Sequence, residues 1–327
     1  MAVINLKDIN KPVKEHLDKF NDYFKDLMRT EVPLLNLIIK YMTQKRGKQI
    51  RPALVFLSAM ICGEINKRTY TGAGLVELLH SATLIHDDVV DKSDKRRGIA
   101  TINAEWNNKI AVLIGDYLLA CGLLSAIDSD EYYFLKLMSQ SVRRMSEGEL
   151  LQIQKSGELE TSEETYFTII ANKTASLLST CCSLGAASTS DDKSLHEKMA
   201  EYGELVGIAF QIKDDIMDYE SSSIIIGKPV GNDLKEKKLT LPLIHAIQNV
   251  PKKQAKEILK IVKSGNIKND NLKRVIDFVH ENKGIEYSEQ KALEYSDRAI
   301  QIISGFDSSA AKESLINFSN YVVKREK

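Results

Sequence analysis

Proline and glycine are scarce, with 6 and 17 in 327 residues, and no extended stretch alternates apolar and polar residues with a period of two. A turn-rich all-β architecture is thereby excluded. An excess of either charge is also missing. Lysine plus arginine and aspartate plus glutamate number 45 each, which disfavours a nucleic-acid binder, whose footprint is basic. Cysteine is rare, and Cys62, Cys121, Cys181 and Cys182 show neither zinc-ligand nor redox spacing. The adjacent pair sits in an apolar run and reads as core packing in a reducing compartment. The first residues, MAVINLKDINKPVKEH, carry charges where a signal peptide needs an apolar stretch, so a cytoplasmic location is expected. No linker-like stretch divides the chain, and one domain over 1–327 is expected, large enough to bury a core. Only one apolar run approaches the length of a membrane span, 110–127 (IAVLIGDYLLACGLLSAI). Asp116 lies inside it, and a charge at mid-membrane is costly, so a buried core helix is the preferred reading and no stable membrane insertion is expected.

What is present is helical periodicity. Leu75, Leu78, Leu79, Ala82 and Ile85 recur at three- and four-residue spacing, as do Leu205, Ile208, Ile212 and Ile216, and the spacing predicts an all-α fold. Thr161 with Glu164 predicts a capping box, and Ser190 with Asp191 and Asp192 predicts acids in a first turn. The segments 73–86, 110–127 and 167–187 are apolar on nearly every face and are expected at the centre of a helical bundle. The longest irregular stretch, 221–238, reads as a lid, with Gly227-Lys228 and Lys237-Lys238 suited to closing over phosphate.

One acidic pattern is written twice. His86-Asp87-Asp88-Val89-Val90-Asp91 ends one apolar segment, and Lys213-Asp214-Asp215-Ile216-Met217-Asp218 ends another. In each, two aspartates stand four apart and share one helix face. Three like charges beside an apolar run cost free energy unless solvent or a cation screens them. A single copy reads as a solvated helix face. Two copies point to hard divalent cations and a diphosphate substrate, and no glycine-containing acidic loop of the EF-hand kind is present. Bases gather nearby. Arg96-Arg97-Gly98 would reach the first cluster if the helix continued one more turn, or would simply favour a helix C-terminus. Arg46-Gly47-Lys48-Gln49-Ile50-Arg51-Pro52 could cradle phosphate. His80, on an otherwise apolar helix, reads by itself as a core residue. No nucleophilic triad is visible.

Taken together, GKQIRP from Gly47, ELLHSATLIHDDVVD, RRG, ANKTASL at 171–177, GIAFQIKDDIMDY at 207–219 and GKPVGNDLKEKKLTLPL at 227–243 resemble the trans-type polyprenyl diphosphate synthases of the medium- and long-chain, octaprenyl-like kind. The resemblance runs from Gly47 to about Pro242, with a weaker helical tail. It implies a bundle of the isoprenoid synthase type around a deep cavity. It also implies about three magnesium ions held by Asp87, Asp91 and Asp214, with Asp88, Asp215 and Asp218 as further ligands or as orienters of bound water. Arg96 matches an arginine on the allylic diphosphate. Lys173, Thr174, Gln211 and Lys228 match other residues of that pocket, and Lys238 a second lysine near it. Lys48, Arg51, His80 and Arg97 match the metal-free pocket for isopentenyl diphosphate, and Lys324-Arg325 matches a phosphate-reaching tail weakly. The implied reaction ionises the allylic C–O bond, adds the isopentenyl double bond to the cation and removes a proton.

Small Ala82 and Thr83 above the first motif, with Ala126, Leu135 and Met138 as a floor, resemble a chain of about six to eight isoprene units, C30–C40, as quinone side chains need. The shorter farnesyl or geranylgeranyl synthases and the class I terpene cyclases are the alternatives. A cyclase would not need Lys48, Arg51 and His80. A non-catalytic partner subunit would generally lack an aspartate motif, and an HD-type phosphohydrolase would leave the second cluster without a role. The resemblance further implies a homodimer, with 110–127 as a candidate interface, and transient contact of an oily product with a membrane. Arg46, Lys237 (where glycine is usual) and the apolar 221–226 depart from the family pattern.

Overall fold

The computed structural model describes residues 5–44, 47–96, 98–158, 161–220, 231–264 and 269–325. Short α1 (Leu6–Ile9) and a 3-10 turn lead into α2 (Lys14–Leu27) and α3 (Pro33–Thr43), followed by α4 (Ile50–Cys62) and α5 (Lys67–Val90). A two-stranded antiparallel hairpin, β1 (Lys95–Arg96) with β2 (Ile99–Ala100), is the only sheet among the described residues. Next come α6 (Ile102–Glu105), α7 (Asn108–Asp128), α8 (Tyr132–Glu158) and α9 (Glu163–Ile170), which continues through a π-turn (Ala171–Ala175) into α10 (Ser176–Thr189). After α11 (Lys193–Glu220) and α12 (Asn232–Lys235), the chain closes with α13 (Leu241–Gln248), α14 (Lys252–Lys263), α15 (Asn269–Glu281), α16 (Gly284–Ser304) and α17 (Ala310–Lys324).

The centre is α10, buried from Ser176 to Ser188 and packed against α4, α5, α8 and α11. Serine, cysteine, alanine and glycine make it thin enough for four neighbours. Its buried hydroxyls are satisfied by helix carbonyls: Thr180 donates to Ser176 O at 2.9 Å, Ser179 to Ala200 O at 2.8 Å and Ser188 to Gly185 O at 2.7 Å, as buried polar groups require. Four helices, α5, α7, α11 and α16, each join two apolar clusters. One cluster spans α1, α2, α4, α5, α7, α8, α10, α11, α16 and α17; a second spans α9 and α11 to α16; a third spans α3, α5, α6 and α7. The aspartate motifs stand at the C-terminal ends of two of these helices, α5 and α11.

Several expectations shift. The segment 110–127 is not central. In α7 the buried positions are Ala111, Ile114, Gly115, Leu118, Gly122 and Ala126, a single stripe lying on α5, while Leu113 and Leu124 are each 56% exposed, with Val112, Leu123 and Ile127 beside them. By length and composition α7 could cross a membrane, but composition cannot tell a helix buried all round from one buried on a stripe. The segment 167–187 is not one regular helix, because the π-turn interrupts it. The cap of α9 is Ser162, whose Oγ accepts from Thr165 N at 3.1 Å, not Thr161. Ser190 ends α10 rather than starting α11. Asp192 Oδ1 accepts from Ser194 N at 2.9 Å and so precedes the first turn of α11.

Candidate active site

The first motif keeps its predicted face. Asp91 caps α5 in a right-handed conformation, its N–H bonded to Asp87 O at 2.8 Å, so Asp87 and Asp91 lie one turn apart, both exposed. Asp88 is different. It is buried, and Arg96 donates to its Oδ1 from Nε at 2.9 Å and from Nη2 at 2.8 Å. Arg96 does not come from an extra helical turn, as expected. Lys92 takes φ +51°, and the chain leaves the helix. Ser93 O accepts from Thr101 Oγ at 2.6 Å and from Asn103 at 3.1 Å, and the hairpin carries Arg96 back to the motif. Partial burial raises the Asp87 carboxyl above the usual range, and Glu149 opposite adds to the rise while Lys173 and Arg96 oppose it.

The second motif is built likewise from α11. Asp215 is buried and engaged from both sides: Tyr166 OH donates to Oδ2 at 2.6 Å and Gln211 Nε2 to Oδ1 at 2.8 Å, while Thr174 Oγ1 donates to Gln211 Oε1 at 2.8 Å. Burial, then the charge of Asp233, pushes the Asp215 carboxyl up to about 8. Asp218 accepts from Asp233 N at 3.1 Å, and Asp233, half-buried beside Asp218, is pushed up to about 6. Asp214 meets Arg325 Nη2 at 2.5 Å, and the guanidinium also lies 3.7 Å from the Phe210 ring centre. In each motif the second aspartate is thus held by the protein, while the first and last lie less deeply buried.

One cavity collects much of the predicted set. Lys173, Thr174, Gln211, Asp215 and Lys238 line it, with Gln152, Tyr166, Ile169, Ile170, Asp233, Leu239 and Thr240. Lys173 Nζ lies 2.5 Å from Glu149 Oε2 and donates to Gln152 Oε1 at 3.4 Å. Lys238 pairs with Glu236 at 2.5 Å and stands 4.0 Å from Asp233. Lys237, in the place where glycine is usual, takes φ +59°, a conformation glycine adopts at least cost. Lys48 is exposed ahead of α4, and Arg51 and His80 are half-buried on the adjacent α4 and α5; none of the three lines that cavity. Arg97, Lys228 and the 221–230 part of the expected lid lie outside the described residues, and 232–235 is helical rather than irregular. Ala82 is buried against the α7 cluster, Thr83 half-buried, and Ala126 and Met138 lie in the main core with Leu135 against it.

Sequence reasoning missed Glu149, Gln152, Tyr166 and Asp233. The Glu149 and Gln152 spacing on α8 was visible, but their pairing with Lys173 is long-range. Asp233 lay within a quoted motif without a role, and Tyr166 gave no signal. Among the described residues, no three acid or imidazole groups converge as a metal cage. The donor set still suits a hard cation. Its members are carboxylates, and two of them already attract arginines.

The sequence matches the polyprenyl synthetase family over residues 32–279. It is 36% identical to an all-trans-nonaprenyl-diphosphate synthase (geranyl-diphosphate specific) of Rhodobacter capsulatus, over 99% of both chains. The structure is similar to that of a decaprenyl diphosphate synthase from Rhodobacter capsulatus, with TM-score 0.92 and 30% identity over 98% of this chain and 100% of that one. It is also similar to a polyprenyl synthase from Caulobacter crescentus CB15 complexed with calcium and isoprenyl diphosphate, with TM-score 0.90 and 28% identity over 99% of both chains.

Proposed function

The chain belongs to the polyprenyl synthetase family, and from that premise we propose that it condenses isopentenyl diphosphate with an allylic diphosphate to give an all-trans polyprenyl diphosphate. It is an enzyme of the prenyltransferase class with the all-α isoprenoid synthase fold, here one domain over 1–327. The observation that carries the reading is the single cavity lined by Lys173, Thr174, Gln211, Asp215 and Lys238 beside the second motif.

Magnesium, about three ions, would be held by Asp87 and Asp91 from α5 and by Asp214 and Asp218 from α11, and when bound would neutralise charge gathering on the departing diphosphate. Lys173, Lys238 and Arg96 add fixed positive charge on the same side, with Lys228 from the sequence pattern. Glu149 holds the Lys173 ammonium at 2.5 Å, so its direction is set before substrate arrives. The allylic C–O bond then breaks, its electron pair leaving with the diphosphate. Gln211, fixed at its oxygen by Thr174 and at its nitrogen by Asp215, presents an oriented amide dipole to the cation, and Ile169, Ile170 and Leu239 exclude water. Lys48, Arg51 and His80, with Arg97 from the sequence pattern, would hold isopentenyl diphosphate so that its double bond adds to the cation; the new cation loses a proton to the released diphosphate.

The product is proposed to exceed about fifteen carbons, at about six to eight isoprene units. The enzyme is proposed to work in the cytoplasm, which its free cysteines suit, and to touch membrane transiently when releasing product. A homodimer through the open apolar side of α7 is part of the same reading. The test is incubation of the full chain with labelled isopentenyl diphosphate, an allylic primer and magnesium. Elongated, labelled polyprenyl diphosphate is expected. No incorporation would favour a cyclase or a non-catalytic subunit, and a product that stops at about twenty carbons would overturn the length assignment.

A further inference from the structure

We propose that Arg144 is a positioning residue for Lys173 and Thr174, acting by clamping the π-turn that carries them. The proposal rests on the reading that this turn faces the allylic diphosphate. A π-turn holds one more residue per turn than a regular helix. Were it to relax, the residues on one side would rotate by about 100° relative to the other. Lys173 and Thr174 lie inside that turn, so their direction depends on whatever keeps it wide.

Arg144 spans three acceptors on two elements. From α8 its Nη1 and Nη2 donate to Glu204 of α11 at 3.1 and 2.8 Å, its Nε donates to Asn172 Oδ1 at 3.0 Å, and Nη2 approaches Ala171 O at 3.5 Å. Ala171 O also accepts from Ser176 N, the bond that closes the wide turn. The guanidinium thus ties the start of the π-turn to both flanking helices. A planar fork with five donors suits this; an ammonium cannot reproduce it. The arginine and its partner are each about one-third exposed, at the edge of the bundle rather than in the cavity, and Arg144 does not line the cavity.

Two glycines show how closely the clamp is drawn. Gly148 lies one turn beyond Arg144 on α8, and a Cβ there would stand 2.9 Å from both Asn172 Cβ and Lys173 N. Gly207, three residues after Glu204 on α11, would place a Cβ 2.5 Å from Ala175 Cα. Both helices therefore touch the turn's backbone. The Arg144–Glu204 pair bridges them on one side, and the Thr174–Gln211 bond fixes the turn to α11 farther along.

The experiment compares the full chain with Arg144→Met, Arg144→Lys and Gly148→Ala by steady-state kinetics and by amide hydrogen exchange over 168–178. For Arg144→Met, the expected result is faster exchange in the π-turn. Efficiency towards the allylic substrate should fall between about tenfold and a hundredfold, as for misplaced groups, with the KM for isopentenyl diphosphate within about twofold. Arg144→Lys should recover only part of the loss. Gly148→Ala, which leaves the guanidinium in place but pushes on Asn172, should show the same split between substrates and stands in if Arg144→Met does not fold. Unchanged exchange overturns the clamp whatever the activity. Faster exchange with wild-type kinetic constants overturns its role in positioning. A wild-type chain that incorporates no isopentenyl diphosphate refutes the proposed function instead, and the exchange measurement still decides the clamp.

Discussion

Tyr166→Phe removes one oxygen from the middle of the site. Tyr166 and Asp215 are 3% and 4% exposed, and the hydroxyl donates to Asp215 Oδ2 at 2.6 Å. The ring would stay, still edge-on to Phe167, so no cavity opens and no packing is lost. The loss is one hydrogen bond to a buried carboxyl whose other oxygen keeps Gln211 at 2.8 Å, which should cost about 1–3 kcal/mol. In a chain of this size that is a fall of about 1.5–4 °C in Tm. Because Tyr166 lowers the Asp215 pKa, its loss would move that carboxyl further above about 8. The effect on turnover is separate. Asp215 orients Gln211, and Gln211 holds the Thr174 hydroxyl at 2.8 Å. A freed carboxyl lets that chain reorganise, and kcat should fall about tenfold while the KM for isopentenyl diphosphate stays near wild type.

The assay is thermal unfolding without added metal, paired with steady-state kinetics. A Tm within about 1 °C of wild type would show that Asp215 does not depend on this donor. A lowered Tm with wild-type kcat would leave the network structural and remove Gln211 from the reacting centre.

Asp87→Asn should abolish most turnover and spare Tm, since its side chain is exposed and packs no core. Asp88→Asn should lower the unfolding free energy by about 1 kcal/mol, the value of a pair whose Arg96 is 41% exposed; thermal unfolding and turnover of both variants check the contrast, and equal effects on both would refute it. Burial lowers the pKa of His16, which bonds Tyr70 OH at 2.9 Å and stacks on Phe56. With the folded value below the unfolded one, its contribution is fully present above about pH 6.5 and is lost as pH falls below that value. Urea unfolding at pH 7.5 and 5.5 should therefore show a drop that His16→Phe reduces, and an identical drop in the variant would assign it elsewhere. Leu113→Asp with Leu124→Asp should convert a dimer into monomers by sedimentation, and a wild-type chain that sediments as a monomer would refute the α7 interface.

The helices and the motif faces were legible because they depend on local spacing. Three- and four-residue periodicity located α5 and α11, and the four-residue separation of Asp87 and Asp91 survived to the end of α5. What was not legible depends on distant partners or on single backbone angles. Arg96 was expected on a continued helix, but Lys92 at φ +51° ends it, and the return of the hairpin puts the same side chain on Asp88. The π-turn falls within an apolar run that reads as regular helix, and its width is set by Arg144, Glu204 and two glycines on other helices. Arg325 reaches Asp214 across 111 residues, and nothing in a terminal basic pair announces that. Burial of α7 was misjudged for a related reason: hydropathy marks which residues prefer to be covered, and in this chain α5 covers only one stripe.

The repeated aspartates have a further consequence for charge. A doublet at the end of a buried helix places one acid outward and the next inward, since neighbours on a helix differ by about 100°. The inward acid must be satisfied or it destabilises the helix. This chain meets the requirement in two ways. Asp88 receives the full positive charge of Arg96 from the hairpin. Asp215 receives only neutral donors, Tyr166 and Gln211, and lies among Asp214 and Asp233, so its carboxyl is pushed up to about 8. Near neutral pH and without a cation, the second motif therefore carries less negative charge than its three aspartates imply, and Asp214 already faces Arg325. The identical spelling of the two motifs thus conceals unequal electrostatics. The first offers two exposed carboxylates with its inner acid separately paired, while the second couples its inner acid directly to Gln211 and Thr174 at the proposed reacting centre. A change of charge at the second motif is transmitted to those two side chains through two hydrogen bonds; at the first, Arg96 absorbs it.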